Sequence, residues 1–222
     1  MRNRLFIGND PGGVQDFNGL SVVERWGQYE TPEPHYDEEG RWCEYDARWT
    51  FKEWRLQHLE RTVGEPYPSI VERILKITAD SKLKDAEVVV DATGIGRPIV
   101  DFMRKAGIRR LRPVMITGGD TVTEDTWDGM RVLRVPKRDL VGCLQVHLQN
   151  KTLKIPDSIP YKKELIEEMQ NFKVKLAEDT GKATFEHWRS GDHDDLVLAL
   201  ALPLWYGDRP ARPAFRCAML PI

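Results

Sequence analysis

The chain has 222 residues, 41% of them hydrophobic, with 33 Lys and Arg against 35 Asp and Glu for a formal charge of −2. That length and apolar content suit one large domain with a packed core and exclude intrinsic disorder. The charge balance excludes a uniformly cationic nucleic-acid coat, so any DNA contact has to use a local basic patch or metal ions.

The N-terminal MRNRLFIGND begins basic and runs straight into a short strand-like segment, Leu5 to Asp10. It has neither the apolar core nor the small-residue cleavage site of a signal peptide, so a cytoplasmic location is expected. Pro11-Gly12-Gly13 stops that strand, and Gly19 to Gly27 reads as the second strand of a hairpin. Residues 28 to 40 are acidic, Pro-bearing and without period, which predicts a surface loop before a third strand within residues 41 to 54. The stretch from 28 to 65 is longer and more acidic than a simple strand pair needs.

After Pro66 and Pro68, the apolar Ile70, Val71, Ile74, Leu75 and Ile77 fall at helical spacing. AEVVVDATGIGRP then reads as a continuous apolar strand ending at Asp91, a glycine loop, and a helix from Pro98 through Lys105 closed by Gly107. Arg112 to Thr117 and MRVLRVP are predicted strands flanking a flexible hairpin over Gly118 to Met130. KRDLVGCLQVHLQNK gives a helix, TLKIP a short strand, and YKKELIEEMQNFKVK another helix. DHDDLVLALALPLW predicts a last helix with charges in its first turn. Its apolar run, Leu196 to Trp205, is broken by Pro203 and falls short of the ~20 residues that cross a bilayer.

Residues 207 to 222 are Pro- and Arg-rich and aperiodic, so the expected organisation is one domain over 1–206 followed by a flexible tail. Antiparallel strands first, then alternating strands and helices, argue for an α/β fold with one mixed sheet and helices on both faces. Cys43, Cys143 and Cys217 are odd in number and form no C-x-x-C pair, which predicts three reduced thiols with neither a disulfide framework nor a zinc knuckle.

Asp10 ends the first strand, Asp91 ends the central strand, and Asp194 and Asp195 open the last helix. Each alone is an ordinary turn former, loop cap or helix-start acid. Together they lie where the carboxyl ends of strands in an open α/β sheet meet at one crevice. Carboxylates gathered there repel unless a cation sits between them. Hard cations, Mg²⁺ or Mn²⁺, suit oxygen donors, and two such ions ~3.5–4 Å apart can hydrolyse a phosphodiester. DATGIGRP also holds a Gly-x-Gly after a strand, but Ile99 stands where the dinucleotide fingerprint needs its third glycine.

IGNDPGGVQDFNGLSVV, GEPYPSIVERI, VVVDATGIGRPIVDFM, VPKRDLVGCLQVHLQNKTLKIP and GDHDDLVLALALP, in that order, resemble the nuclease domain of the large terminase subunit of tailed bacteriophages. The likeness spans nearly the whole chain. It implies a ribonuclease-H-like fold related to RuvC-type resolvases. The implied activity is a divalent-metal endonuclease that cuts concatemeric double-stranded viral DNA during packaging, in the host cell cytoplasm.

By that resemblance Asp10 is the ligand shared by two metal ions, Asp91 the second carboxylate, and Asp194 and Asp195 the acids of the closing helix. A helix turns ~100° per residue, so those two cannot point alike; Asp195 is the favoured ligand, with Asp194 close by. Asp16 matches a further acidic position of some relatives, or is a plain hairpin-turn residue. His193 can position a water or touch the scissile phosphate, and Lys137 and Arg97 can face phosphate, although an exposed histidine and solvated cations are their ordinary roles.

The partners implied are the terminase ATPase domain, the portal protein and the small terminase subunit. The chain has no phosphate loop of its own: Gly181-Lys182 lacks both the earlier glycine and the following Ser/Thr, so no ATP site is expected. A junction resolvase of the same fold shares the carboxylates. A non-catalytic portal or motor docking module would draw on Arg209, Arg212 and Arg216 in the tail. The hairpin over 118–130 carries Asp120, Glu124, Asp125 and Asp128. Such a loop over the cleft would oppose phosphate, so it is expected to restrain cutting.

Overall fold

The structure, a computed structural model, describes residues 3–12, 16–30, 35–36, 38–39, 41–43, 48–94, 97–171, 175–176, 183–184 and 193–209. Strands β1 (Arg4–Asp10) and β2 (Phe17–Glu30) form the expected hairpin, and a two-residue ribbon follows from β3 (His35–Tyr36) and β4 (Trp42–Cys43). Next come β5 (Arg48–Val63), α1 (Tyr67–Thr78), β6 (Glu87–Asp91), α2 (Arg97–Lys105) and β7 (Leu111–Thr117). The chain continues through β8 (Thr123–Trp127), β9 (Met130–Pro136), α3 (Lys137–Gln149) and β10 (Leu153–Lys154). It closes with α4 (Lys162–Asn171), the ribbon β11 (Lys175–Leu176) and β12 (Ala183–Thr184), and α5 (Asp195–Asp208).

Eight strands make one sheet in the order β10-β5-β2-β1-β6-β7-β9-β8. β1, β6, β7 and β9 run parallel, β2 and β5 are antiparallel at one side, and β8 is antiparallel at the other. Successive strand residues point to opposite faces, so Phe6 and Val89 join a core beneath α3, α4 and α5. Ile7, Val88 and Val90 join a second core beneath α1 and α2. All five residues of β6 are buried, as a strand covered on both faces requires. The α/β mixed sheet with helices on both faces is therefore as expected.

Helix α5 is apolar all round because it is covered all round, by β1 and β2 below and by α3 and α4 beside it. Leu196, Leu200, Leu202 and Leu204 are fully enclosed, each contributing about 1.5–3 kcal/mol by burial. Pro203 has no N–H to give the carbonyl of Ala199 one turn back. The Ser21 hydroxyl donates to that carbonyl instead, at 2.7 Å, and so ties the helix to β2. Among the described residues no helix is long and apolar enough to cross a membrane.

Three expectations are corrected. Residues 28–30 are not loop but the end of β2, and the third strand is far longer than its apolar core suggested. β2 and β5 pair from Phe17↔Val63 to Glu30↔Arg48, with irregularities at Val22/Val23 and Trp26/Gly27 that let alternation slip. The helix expected through Lys175 ends at Asn171, and Lys175 pairs with Thr184 in a ribbon. The last helix runs on to Asp208, two residues into the expected tail; Arg212, Arg216 and Cys217 lie outside the described residues. The Cys143 thiol is free, and burial beside Asp208 pushes it up to about 12, so it stays protonated, as expected of a reduced thiol.

Candidate active site

The carboxyl ends of the parallel strands are Asp10, Asp91, Thr117 and Pro136, and Lys137 follows directly as the first residue of α3. The pairing of Asn9 with Val90 sets Asp10 and Asp91 next to each other at that end. On its other side Asp10 pairs with Gly19, and a Cβ on Gly19 would stand 2.4 Å from the carbonyl oxygen of Asp195. A Cβ on Gly8 would meet the Ala199 carbonyl at 1.9 Å. Two glycines thus let α5 lie directly on the β1–β2 hairpin, and this contact delivers Asp195 to Asp10.

Helix α5 opens on two acids, yet neither caps it: Asp194 makes no side-chain hydrogen bond to the helix end. The Glu168 carboxylate, from α4, accepts the backbone N–H groups of Leu196 at 3.0 Å and Val197 at 3.1 Å and pairs with Arg61 of β5. Capping by a residue from elsewhere leaves Asp194 and Asp195 available for other work.

The two ends of β6 show what is unusual here. Glu87 is buried at the amino end, and Arg4 at 2.7 Å, Arg112 at 2.6 Å and Arg110 at 3.7 Å answer its charge. Asp91 is buried at the carboxyl end and has a Thr93 N–H at 2.7 Å. Burial, with Asp194 adding to it, raises Asp91 above the usual aspartate range against the hydrogen bonds of Thr93 and the charge of Lys137. Asp10, partly buried at the strand end, is raised further, first by desolvation and then by Asp91, Asp195 and Asp194, with Lys137 opposing. Burial and then Asp194 push Asp195 up to about 6, against Arg61 and His193. Three acids from separate elements are therefore held in each other's fields, where charge is costly.

The Lys137 ammonium donates to Asp194 at 2.5 Å, and its charge also acts on Asp10 and Asp91. Asp195 keeps one oxygen, Oδ2, buried and without a hydrogen-bond partner. His193 lies beside it, Nδ1 to Oδ2 3.8 Å, with its ring edge-on to Phe17 at 4.4 Å.

The structure thus brings together Asp10, Asp91, Asp194, Asp195, His193 and Lys137. Asp16 is exposed just before β2, and its charge is not among those acting most on Asp10. Arg97 opens α2, but its side chain lies outside the description. Sequence reasoning missed Arg61 and Glu168, which meet from β5 and α4; no local signal marks a capping residue 28 positions before the helix it caps. Three of the four hairpin acids are ion-paired: Asp120 with Arg138 at 2.6 Å, Asp125 with Arg134 at 3.4 Å, and Glu124 with Arg131.

No known family profile and no curated protein matches the sequence. Among solved structures, the large terminase nuclease from the thermophilic phage G20c aligns over 94% of this chain and 83% of its own, with 20% identity and a TM-score of 0.58. The large terminase nuclease domain of bacteriophage SPP1, solved with bound Mn, aligns over 92% and 86% with 10% identity and a TM-score of 0.47. Thermus thermophilus RuvC aligns over 91% and 92% with 14% identity and a TM-score of 0.36. This chain thus shares the fold of the G20c large terminase nuclease, here one mixed sheet with helices on both faces.

Proposed function

We propose that the chain is a divalent-metal-dependent endonuclease acting on double-stranded DNA, the nuclease domain of a viral packaging terminase. One observation carries this reading: carboxylates from β1, β6 and α5, Asp91 buried and Asp10 and Asp195 partly so, act on one another without the direct arginine pairs that Glu87 receives. An all-oxygen donor set with one orphaned buried oxygen, Asp195 Oδ2, fits a hard cation. Bound there, Mg²⁺ or Mn²⁺ supplies an activated water and charge stabilisation at the leaving oxygen.

The chain's own residues divide the remaining work. Asp10, which feels the charges of the other three acids, would hold the metal together with Asp91 and Asp195. Lys137 stands as the counter-charge to Asp194, and its ammonium is placed to meet phosphate when that pairing loosens. His193, half-exposed beside Asp195, orients a water or the scissile phosphate. The setting that follows is the host cytoplasm, with the ATPase domain, portal and small subunit as neighbours and with ATP hydrolysis left to the motor.

The test is supercoiled plasmid with Mn²⁺, Mg²⁺ or EDTA. Nicking and linearisation are expected with metal and not with chelator. Asp10→Asn and Asp91→Asn should each lower the rate by ~10²-fold or more, the scale of removing one preorganised electrostatic group. Full activity in both variants, or in EDTA, overturns the assignment. Absence of Mn²⁺ binding in the wild-type chain points instead to a docking module, and a strong preference for four-way over linear DNA points to a resolvase.

A further inference from the structure

About 20 Å along α5 from Asp195, at 1.5 Å per residue, the helix ends on Asp208, which faces Cys143 and His147 of α3. One donor atom from each of these three residues lies within 4.8 Å of the other two. His147 Nε2 is 2.6 Å from Asp208 Oδ2, and Cys143 Sγ is 3.7 Å from the same oxygen. Cys143 and His147 are four residues apart, so they rise from one face of the helix.

The surroundings orient each ligand. His147 Nδ1 is 2.9 Å from Thr152 Oγ1, and that hydroxyl is 3.4 Å from the His147 carbonyl oxygen. A hydroxyl that gives its proton to the carbonyl can accept Nδ1–H, which turns Nε2 toward the carboxylate. At 2.6 Å a proton bridges Nε2 and Oδ2, and a metal ion would displace it as it would the thiol proton. Asp208 Oδ1 is separately engaged, accepting from Trp54 Nε1 at 3.2 Å with Arg25 Nε at 3.9 Å, so Oδ2 is the oxygen left for a ligand. The rings of Phe51 and Trp54 wall His147 at 6.2 and 6.3 Å. A histidine with its second nitrogen fixed and a carboxylate with its second oxygen fixed are the outer supports that metal ligands ordinarily have.

We infer that Cys143, His147 and Asp208 form a second metal centre, distinct from the aspartate pocket and selective for zinc. A thiolate, an imidazole and a carboxylate suit borderline-soft Zn²⁺ in tetrahedral geometry and do not suit Mg²⁺. Binding displaces the thiol proton to solvent, and Zn²⁺ with one thiolate and one carboxylate leaves a neutral cluster, tolerable in the interior beside Arg25. Asp208 is one-third exposed, which gives a path in and room for water as the fourth ligand. The ion would clamp α3, which begins at Lys137, against α5, which begins at Asp195.

Cobalt titration of the chelator-stripped full chain tests this, because a thiolate ligand gives Co²⁺ a near-ultraviolet charge-transfer band and a tetrahedral site gives it intense visible bands. One equivalent should produce both, zinc should erase them, and Cys143→Ser should abolish the charge-transfer band. Asp10→Asn should keep it, and so should the Cys43→Ser/Cys217→Ser pair. Zinc should also raise the melting temperature of the wild-type chain but not of Cys143→Ser, which is checked for wild-type melting in EDTA. A wild-type chain without the band, or a band that survives Cys143→Ser, overturns the inference. Should His147→Asn fail to fold, the serine variant still decides it.

Discussion

Asp195 shows how placement turns a common side chain into an uncommon one. Burial and Asp194 push it up to about 6 from 3.8. A group with a higher pKa folded than unfolded binds protons on folding, so its stabilising effect is complete below the unfolded value and is lost as pH rises through the folded one. Asp10 and Asp91 are shifted in the same direction. The metal-free chain should therefore melt higher at about pH 5 than at about pH 8, with the loss centred near the Asp195 value. Asp195→Asn should flatten that slope and raise the melting temperature in EDTA at the alkaline end, a comparison that cancels whatever the two chains share. If the wild-type melting temperature climbs with pH, or the variant shares its slope, these carboxylates do not strain the fold.

At the scale of elements, the β8–β9 hairpin has become an electrostatic device rather than an acidic overhang. Glu124, Asp125 and Asp120 each hold one of Arg131, Arg134 and Arg138, all of them partly exposed. The triple variant Asp120→Asn/Glu124→Gln/Asp125→Asn removes three negative charges and releases those guanidinium groups. Duplex DNA should bind more tightly, with the salt dependence steepening by up to ~0.9 in log–log slope per new phosphate contact, and cleavage should quicken. Unchanged or weaker binding would place these arginines off the DNA path. The elements themselves were legible where periodicity is long and local: α1, β6, α3 and α5 read directly from their apolar spacing. β5 did not, because Gln57 and Lys52, extra residues opposite Val22/Val23 and Trp26/Gly27 of β2, break its alternation. The end of α4 did not either, since nothing near Asn171 announces the Lys175–Thr184 pairing.

Across the whole molecule, strand ends could be read but strand neighbours could not. Asp10 and Asp91 were visible as strand-terminal acids, yet their adjacency depends on a parallel pairing between residues 81 positions apart, Asn9 with Val90. Lys137 was a candidate phosphate contact in the sequence, but only its place directly after β9 shows that it sits at the same end as the aspartates. The closing helix was plain in sequence, but its seat on Gly8 and Gly19 is a tertiary fact. That assembly concentrates negative charge at the pocket in a chain of net charge −2, so on the proposed function metal ions and a few local cations must do most of the attracting. Binding of the Asp10→Asn chain to a linear duplex, followed by fluorescence anisotropy, should therefore be weak and salt-limited. A footing of about three phosphate contacts corresponds to a log–log slope near −2.7, a loss of about 40-fold between ~50 and ~200 mM salt. A loss below tenfold, or tight binding that persists at high salt, would mean that base or apolar contacts hold the DNA. Steep loss from an already weak starting affinity would mean that cutting depends on DNA being delivered to this surface.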